Sequence, residues 1–462
     1  MAVVVPFRGL RFNPDKVSHL EEVITPPYDV INAQAAADML ARNPYNMLHL
    51  DLRCPGAGET AAEDRHHEAA RRYASWRDEG ALACDEQPAF YLYHVEYVHP
   101  SGRRLTRRGL VGLVRLAEFS EGIVKPHEKT FDAVIGDRLR LLQSCQAQFS
   151  QVFSLYSDPD NSVNRLLEAA RPAKAIARVR DHHGNDHSLW AVTDPATLAE
   201  VSRMLADRAL YIADGHHRYT TALALRRTLR EAGRPPAAED PANHIMMYLC
   251  AMEDPGLSVL PTHRLLRHPG GLSLSETLAR LKPAFEIREV GGGSREVLLS
   301  ETLALMEEAH LAGETAPSLV LGLYHPGEDR AFFLRLREEV AKNSPILVQQ
   351  AAELRHLDVT VLSDLVLHEL LGLDHGRCAR EQLVAYFSDP DEALDMAVKE
   401  SITQGGKSPL LFLLNPTLVL QVRDVADAGE IMPHKSTYFY PKIVTGLVLY
   451  SLDPHVFQRH SD

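Results

Sequence analysis

The sequence predicts an α+β fold, because its strands occur both in hairpins and in alternation with helices. Residues 89–116 contain two runs of β-branched and aromatic residues on either side of Pro100 and Gly102, which is typical of a hairpin. Residues 208–214, RALYIAD, have the pattern of a short apolar strand, and residues 217–233 show helical spacing that ends at Gly233. The two kinds of connection together favour a mixed architecture.

The remaining elements repeat this mixture along the chain. Residues 59–80 place apolar residues at helical intervals before a glycine, residues 131–148 are again helical, and residues 152–157, VFSLYS, have the pattern of a buried strand. His66 and His67 lie inside the first of these helices, where neighbouring residues point in different directions, so we expect surface positions and no metal site. Segments rich in proline or glycine predict loops at 233–243, 291–294 and 405–408.

The composition is that of a globular protein with an excess of acidic residues. The 462 residues carry a formal net charge of -13, with 45% hydrophobic and 24% charged residues. This charge argues against a general nucleic-acid or membrane-surface binder, since such proteins favour a basic face. No signal-peptide pattern is present, and no run approaches the roughly 18 apolar residues of a membrane span. We therefore expect a soluble, cytoplasmic protein with no nucleic-acid or membrane partner.

The cysteines agree with that expectation. They are far apart in sequence, odd in number and without a CxxC pair, which favours reduced thiols over a disulfide framework or a zinc site. The five positions are Cys54, Cys84, Cys145, Cys250 and Cys378.

The stretch YIADGHHRYT, residues 211–220, places ionisable residues where the predicted strand meets the predicted helix. A strand that ends at Asp214, a glycine at 215 and a helix that begins near His217 would present backbone N–H groups and the helix dipole to an anion, above all phosphate. His216, His217 and Arg218 would add donors, and Asp214 could bind Mg²⁺ or accept a hydroxyl proton. The structural alternative is that Asp214 caps the helix, one histidine packs beneath it and Arg218 forms a surface ion pair.

A second candidate is VKPHEKT, residues 124–130. Glu128, next to His127, could act as a general base toward an alcohol, and Lys125 and Lys129 could hold a phosphate. The alternative is a solvated loop that carries charge without chemistry.

A third candidate is MPHKSTYFYPK, residues 432–442. Lys435 and Lys442 could contact an anion, while Tyr438, Phe439 and Tyr440 could stack on a flat ring. The alternative is a segment whose aromatic residues pack in the core.

Motifs of several other enzyme classes are missing from the sequence. GGKS at 405–408 ends like a phosphate-binding P-loop, but the first glycine of that pattern would fall at Ser401, and a strand-like run follows where a helix is required. No GxGxxG, HExxH or GxSxG pattern occurs, which argues against a Rossmann dehydrogenase, a zincin protease and an α/β hydrolase.

Ten ordered segments between roughly residues 7 and 450 resemble the bacterial and archaeal proteins grouped as domain of unknown function 1015. Among these segments are TPPYDVIN, VKPHEKT, GDRLRLLQ, IADGHHRYTTAL, PTHRLL and MPHKSTYFYPKIVTGLV. The family name implies no reaction.

Within about residues 120–230, PHE followed by an arginine-bearing helix and then DGHHR is similar to the ParB and sulfiredoxin-like superfamily, particularly its free serine kinases. There a Gly-x-x-Arg or Gly-x-His-Arg turn holds nucleotide phosphates, and in the kinases a glutamate is the base toward L-serine with ADP as donor. The resemblance implies that Gly215, His217 and Arg218 hold phosphates, that Glu128 is the base, and that Asp214 lies beside the metal or the donor.

Residues and resemblance together predict a nucleotide-dependent phosphotransferase, a kinase for serine or a related hydroxylated metabolite, with ADP or ATP and Mg²⁺. The catalytic candidates are Glu128, Asp214 and His216, with Asp214 also the metal ligand. The phosphate or nucleotide ligands are Gly215, His217, Arg218, Lys125, Lys435 and Lys442.

We expect an N-terminal α+β region at 1–120, a ParB-like core at 121–235 and a C-terminal α+β region at 236–462 that closes the site. Three other functions stay open. The chain could be a nucleotide-binding regulatory module, a metal-dependent phosphatase or nuclease with Asp214, His216, His217 and Glu128 as ligands, or a structural protein without chemistry.

Overall fold

A computed structural model describes residues 1–51, 59–267, 271–311, 319–403 and 408–453 of the chain. Cys54 and residues 405–407 of a predicted loop lie outside the described residues. The chain divides into two compact units, one of Met1–Ser258 with Pro441–Asp462 and one of Val259–Tyr440. The boundaries expected after residues 120 and 235 both fall inside the first unit, because one sheet takes strands from all three expected regions.

A nine-stranded mixed sheet forms the centre of the first unit. In spatial order, eight of its strands are Val124–Lys125, Leu210–Asp214, Val152–Tyr156, His244–Ala251, Arg104–Arg115, Phe90–Val98, Asp186–Val192 and Ala177–Arg180. The ninth, Val4–Val5, pairs antiparallel with Arg104–Arg115. The first two strands in this order are parallel to each other, as are the third and fourth. The predicted hairpin is confirmed, since Phe90–Val98 and Arg104–Arg115 pair antiparallel.

Three helices pack their apolar residues on one face of this sheet. Val163, Val201 and Leu223 of these helices join sheet residues such as Leu92 and Ile212 in one buried cluster. The three helices are Ser162–Ala169, Pro195–Ala206 and His216–Glu231.

The other helices and strands of the first unit are shorter or lie apart from that layer. Its α-helices are Ala33–Arg42, Leu48–Asp51, Glu59–Asp78 and Asp132–Cys145. Its 3₁₀ turns are Leu20–Glu22, Tyr28–Val30, Phe119–Glu121 and Pro241–Asn243. Two small strand pairs are Leu10–Phe12 with Leu82–Cys84 and Ala147–Gln148 with Tyr450–Ser451. The helices predicted within 59–80 and 131–148 are therefore confirmed.

The second unit contains a six-stranded antiparallel sheet. In spatial order its strands are Phe285–Glu289, Arg330–Leu336, Val320–His325, Leu410–Leu413, His263–Leu266 and Val384–Phe387. Leu265, Tyr324 and Leu411 of this sheet pack with Met306 and Ala397 from two helices. Those helices are Arg295–Leu311 and Pro390–Thr403.

The remaining elements of the second unit are mostly short helices. The short strands Ser258–Leu260 and Tyr438–Tyr440 pair with each other, and Val361–Leu370 is a π-helix. The α-helices are Leu274–Leu281, Glu338–Asn343, Pro345–Val348, Ala352–Arg355, Asp358–Thr360, His375–Arg380 and Val419–Asp427. Helices and mixed strands in the two units confirm the predicted α+β class.

None of the helices in the described parts of the chain is long and apolar enough to cross a bilayer.

Candidate functional site

The predicted strand, glycine and helix around Asp214 are all present in the first unit. The apolar run from 210 to 213 is buried in the sheet as strand Leu210–Asp214, and the helix His216–Glu231 follows after one residue. That residue, Gly215, has φ 95°, a conformation that disfavours any side chain. A Cβ here would also lie 2.9 Å from Arg218 Nε. The glycine therefore lets the Arg218 guanidinium fold back over the start of the helix.

Two cations share the carboxylate of Asp214. Arg218 Nη2 donates to Asp214 Oδ2 at 2.5 Å, and Lys442 Nζ donates to Asp214 Oδ1 at 2.5 Å. Arg218 Nη1 also donates to the carbonyl oxygen of Gln151. We call Asp214, Arg218 and Lys442 the helix-start cluster. Its two positive charges and one negative charge leave a formal surplus of one positive charge where the helix dipole is also positive, which favours an anion.

Parallel pairing of two strands brings the segment 124–130 beside this helix start. Val124 pairs with Leu210 in the sheet register, so the residues after Lys125 run next to the end of the neighbouring strand. The backbone N–H of His127 donates to His216 Nε2 at 3.2 Å. Because Nε2 accepts, the neutral ring carries its proton on Nδ1. That nitrogen lies 3.6 Å from Glu128 Oε2.

His127 and His216 form a buried pair of neutral rings. Their ring centres are 4.7 Å apart in an edge-to-face arrangement. Burial lowers the pKa of His127 to about 4, and burial together with the neighbouring His127 holds the pKa of His216 well below its ordinary value. Both rings are thus uncharged near pH 7, and His216 presents a neutral N–H group toward Glu128 rather than an imidazolium.

The other predicted ligands have different surroundings. His217 Nε2 accepts from the backbone N–H of Phe131 at 3.1 Å, and the two rings stack with centres 5.8 Å apart. Lys125 Nζ lies 5.6 Å from the centre of the Tyr211 ring. Lys435 belongs to the second unit and has a positive φ of 56°. The structure therefore joins Glu128 with His216, and Asp214 with Arg218 and Lys442.

Arg138 is the centre of another charged group that the sequence did not reveal. Its Nη1 donates to Asp51 Oδ1 at 2.8 Å, and its Nη2 donates to Asp137 Oδ2 at 2.8 Å. The guanidinium carbon lies 4.4 Å from the centre of the Tyr28 ring, and the residue is only 5% exposed. We call Arg138, Asp51 and Asp137 the Arg138 network. The single positive charge of Arg138 is matched by two buried carboxylates, which is the arrangement of a structural ion pair.

The predicted surface position is wrong for His66. This residue is 2% exposed, and its Nε2 lies 3.1 Å from Asp137 Oδ1, while His67 is exposed. Arg65 Nη2 donates to the same carboxylate oxygen at 2.7 Å. The reason is that helix Glu59–Asp78 packs against helix Asp132–Cys145, so polar residues on that side become buried.

A cavity of about 60 Å³ is lined by residues of both charged groups. Asp51, Arg138 and Arg218 all contribute to its wall. Burial raises the pKa of Asp51, and the positive charges of Arg138 and Arg218 oppose that rise. The two groups are thus electrostatically coupled neighbours.

The residues near Asp214 do not fit a protein-built metal centre. Both carboxylate oxygens of Asp214 already accept from Arg218 and Lys442. Across the described residues, no group of three or more His, Cys, Asp or Glu side chains is arranged to hold a metal ion. We therefore assign no step of the chemistry to Mg²⁺.

Several solved structures are distantly similar to the chain. A free serine kinase in complex with AMP is 13% identical, with a TM-score of 0.32 and coverage of 73% of this chain and 92% of that one. A mutant free serine kinase in complex with ADP has 13% identity, a TM-score of 0.33 and the same coverage. A conserved hypothetical protein from Pyrococcus furiosus has 13% identity, a TM-score of 0.33, and coverage of 74% and 95%. At these TM-scores the likeness supports no statement about activity.

No curated protein matches the chain. A family model does, over residues 4–360, and it covers most of the segments by which the sequence resembled that family. The chain belongs to the family described as "Protein of unknown function (DUF1015)".

Proposed function

We propose that the chain is a nucleotide-dependent phosphotransferase that moves a phosphoryl group from ADP or ATP to the hydroxyl of a small metabolite such as L-serine. The observation that carries this proposal is the contact between His216 Nδ1 and Glu128 Oε2 at 3.6 Å, which places Glu128 beside the helical turn that carries Arg218. A carboxylate beside a cationic helix start is the pair of features that phosphoryl transfer to an alcohol requires.

The helix start supplies the phosphate site in this proposal. Arg218 and Lys442 carry the positive charge, Gly215 lets the Arg218 guanidinium lie over the helix start, and the backbone N–H groups of the first helical turn add donors. Asp214 orients the two cations through its carboxylate oxygens. His217, whose Nε2 accepts from the backbone N–H of Phe131, stays a predicted phosphate contact. Lys125 and Lys435 stay predicted contacts.

Glu128 is the general base in this proposal. Glu128 takes up the proton of the metabolite hydroxyl while the hydroxyl oxygen forms a bond to phosphorus. At the same time the bond between phosphorus and the leaving oxygen of the nucleotide breaks. His216 is a positioning residue, because its Nδ1–H stabilises the charged form of Glu128 while its Nε2 is held by His127. The resemblance to free serine kinases favours L-serine as the first acceptor to test.

The test incubates the full chain with ADP or ATP, Mg²⁺ and hydroxylated metabolites including L-serine, and follows new phosphate esters by phosphorus NMR. Glu128→Gln should abolish turnover and keep nucleotide affinity, because the amide cannot take up the proton. Arg218→Gln should raise the nucleotide Kd by about tenfold to 150-fold, since a lost charge-assisted hydrogen bond is worth roughly 1.5–3 kcal/mol.

The exposed Glu239 provides the matched control, and Glu239→Gln should behave as the wild type in both measurements. Nucleotide binding without any new ester would rule out the kinase and support the regulatory module. Full turnover by Glu128→Gln would remove this residue as the base. Unchanged nucleotide affinity in Arg218→Gln would remove the phosphate site.

A further inference from the structure

A second cleft lies in the first unit, outside the site described above. Its volume is about 550 Å³, within the range of about 300–1,000 Å³ that small-molecule pockets occupy. None of its lining residues belongs to the helix-start cluster or to the Arg138 network. Any ligand of this cleft is therefore separate from the proposed phosphotransferase chemistry.

The walls of the cleft are one patch of the sheet and one face of a helix. In the sheet, His94 pairs with Arg108 and Glu96 with Thr106, so all four side chains point to the same side. The helix Ser162–Ala169 faces them with positions that are spaced three or four residues apart. These positions are Asn164, Arg165 and Glu168 of the helix, together with its N-cap residue Asn161.

This polar wall departs from the usual packing of a helix on a sheet. Such helices normally bury an apolar stripe, and this helix does so through Val163 and Leu167 in the apolar cluster of the first unit. The neighbouring stripe is polar and borders an open volume instead of a filled core. Packing alone gives no reason for amide, guanidinium and carboxylate groups to converge there.

Asn164 carries the observation that points to a ligand. The residue lines the cleft and is only 1% exposed. Its Nδ2 donates to Asn161 Oδ1 at 2.8 Å, but its Oδ1 has no hydrogen-bond partner among the described residues. Buried amide oxygens are nearly always paired, because an unpaired one loses its hydration without compensation. A donor on a bound molecule would satisfy it.

The charges of the cleft favour an anion. Arg108, Arg165 and Arg171 line it against two carboxylates, Glu96 and Glu168. Glu168 Oε2 pairs with Arg171 Nε at 2.9 Å. Among the ion pairs of the described residues, Arg165 takes part in none. A guanidinium with spare donors suits an oxyanion.

His94 adds no positive charge to this balance. Its Nε2 lies 2.8 Å from Glu168 Oε1, but the contact is not aligned as a hydrogen bond. Burial, with Arg108 and Arg171 nearby, lowers the pKa of His94 to about 4. The ring is therefore neutral near pH 7, and the arginines alone provide the attraction for an anion.

We propose that this cleft binds a small metabolite that carries a phosphate or carboxylate group together with a hydroxyl or amino donor. Arg108 and Arg165 bind the oxyanion, and Asn164 Oδ1 accepts from the donor. The inference is independent of the proposed phosphotransferase activity.

Calorimetry on the full chain tests it, with Arg218→Gln as the background so that the helix start binds the probes more weakly. The probes are glycerol 3-phosphate, glycerate and sulfate, which has no donor at neutral pH. Glycerol 3-phosphate or glycerate should bind more tightly than sulfate, and the tighter of the two identifies the oxyanion. Arg165→Gln should weaken binding of that probe by about tenfold. The matched control Arg203→Gln, an exposed arginine on helix Pro195–Ala206, should leave it unchanged.

Asn164→Leu separates recognition of the donor from attraction of the charge. It should weaken the binding of glycerol 3-phosphate or glycerate about fivefold, which corresponds to the loss of one neutral hydrogen bond. The affinity for sulfate should stay unchanged. The proposal is overturned if none of the probes binds at about 10 mM, a concentration at which even a very weak ligand would bind. It is also overturned by binding that Arg165→Gln and Asn164→Leu leave intact.

Discussion

The Arg138 network and the helix-start cluster are two arginine groups of the same unit that differ in how completely their charge is matched. Arg138 donates to two carboxylates and is 5% exposed. The Arg218 side chain is 17% exposed and shares its single carboxylate with Lys442. A fully matched guanidinium has nothing left for a ligand, whereas a positive surplus at a helix start can attract an anion. Charge balance, more than the number of ionisable residues, therefore separates the structural group from the candidate site.

The largest effect should come from removing Arg138. Arg138→Leu removes the cation that donates to the buried Asp51 and leaves Asp137 with Arg65 and His66, and breaking a buried pair in this way costs about 3–5 kcal/mol of unfolding free energy. Arg218→Leu should cost clearly less, because Lys442 still pairs with Asp214. Urea unfolding at pH 7.5 measures both, with Arg203→Leu as an exposed control that should unfold like the wild type. Equal losses for Arg138→Leu and Arg218→Leu would contradict the proposed difference between the groups.

Sequence patterns predicted one of these two groups and missed the other. The strand, glycine and helix around Asp214 are contiguous, so hydrophobic spacing and one glycine were enough to predict them. Lys442 was predicted as an anion ligand, but its contact with Asp214 spans 228 residues and depends on tertiary structure. Asp51 and Arg138 come from separate segments, and no pattern within either segment predicts the contact between them. His66 was misplaced because helix periodicity does not reveal which polar side faces another helix.

The fold was predictable to a similar degree. The hairpin and the main helices follow from local patterns, and the α+β class follows from their order. The division after Ser258 could not be predicted, because Pro441–Asp462 returns to the first unit through long-range contacts such as the Tyr450–Ser451 pairing with Ala147–Gln148. The local composition of the chain does not indicate that its C-terminal segment packs with the first unit.

An intermediate effect is expected from acid, and it should act through the histidines beside the helix-start cluster. The pKa of His127 is about 4 in the folded chain, below its ordinary value of 6.5, so the unfolded chain takes up this proton first as pH falls. Stability should therefore decrease between pH 6.5 and 4, by about 1.4 kcal/mol per pH unit for such a group. His127→Gln should reduce that slope in urea unfolding, while His67→Gln, at an exposed site, should not. A slope unchanged by His127→Gln would show that this ring is not the acid-sensitive group.

Gly215→Ala should have the smallest effect on stability. It is also the most direct test of whether the helix-start cluster differs in function from the Arg138 network. A residue with a Cβ at φ 95° should lose about 1–2 kcal/mol of unfolding free energy. Gly80 has φ 74° and open space around the position of a Cβ, so Gly80→Ala should show a similar loss and serves as the matched control. Only at residue 215 would the new methyl group also displace the Arg218 guanidinium, which lies 2.9 Å away at Nε. Nucleotide affinity should therefore fall in Gly215→Ala and not in Gly80→Ala. If both variants bound nucleotide like the wild type, the position of Arg218 over the glycine would serve the fold alone, and the helix-start cluster would be structural in the same sense as the Arg138 network.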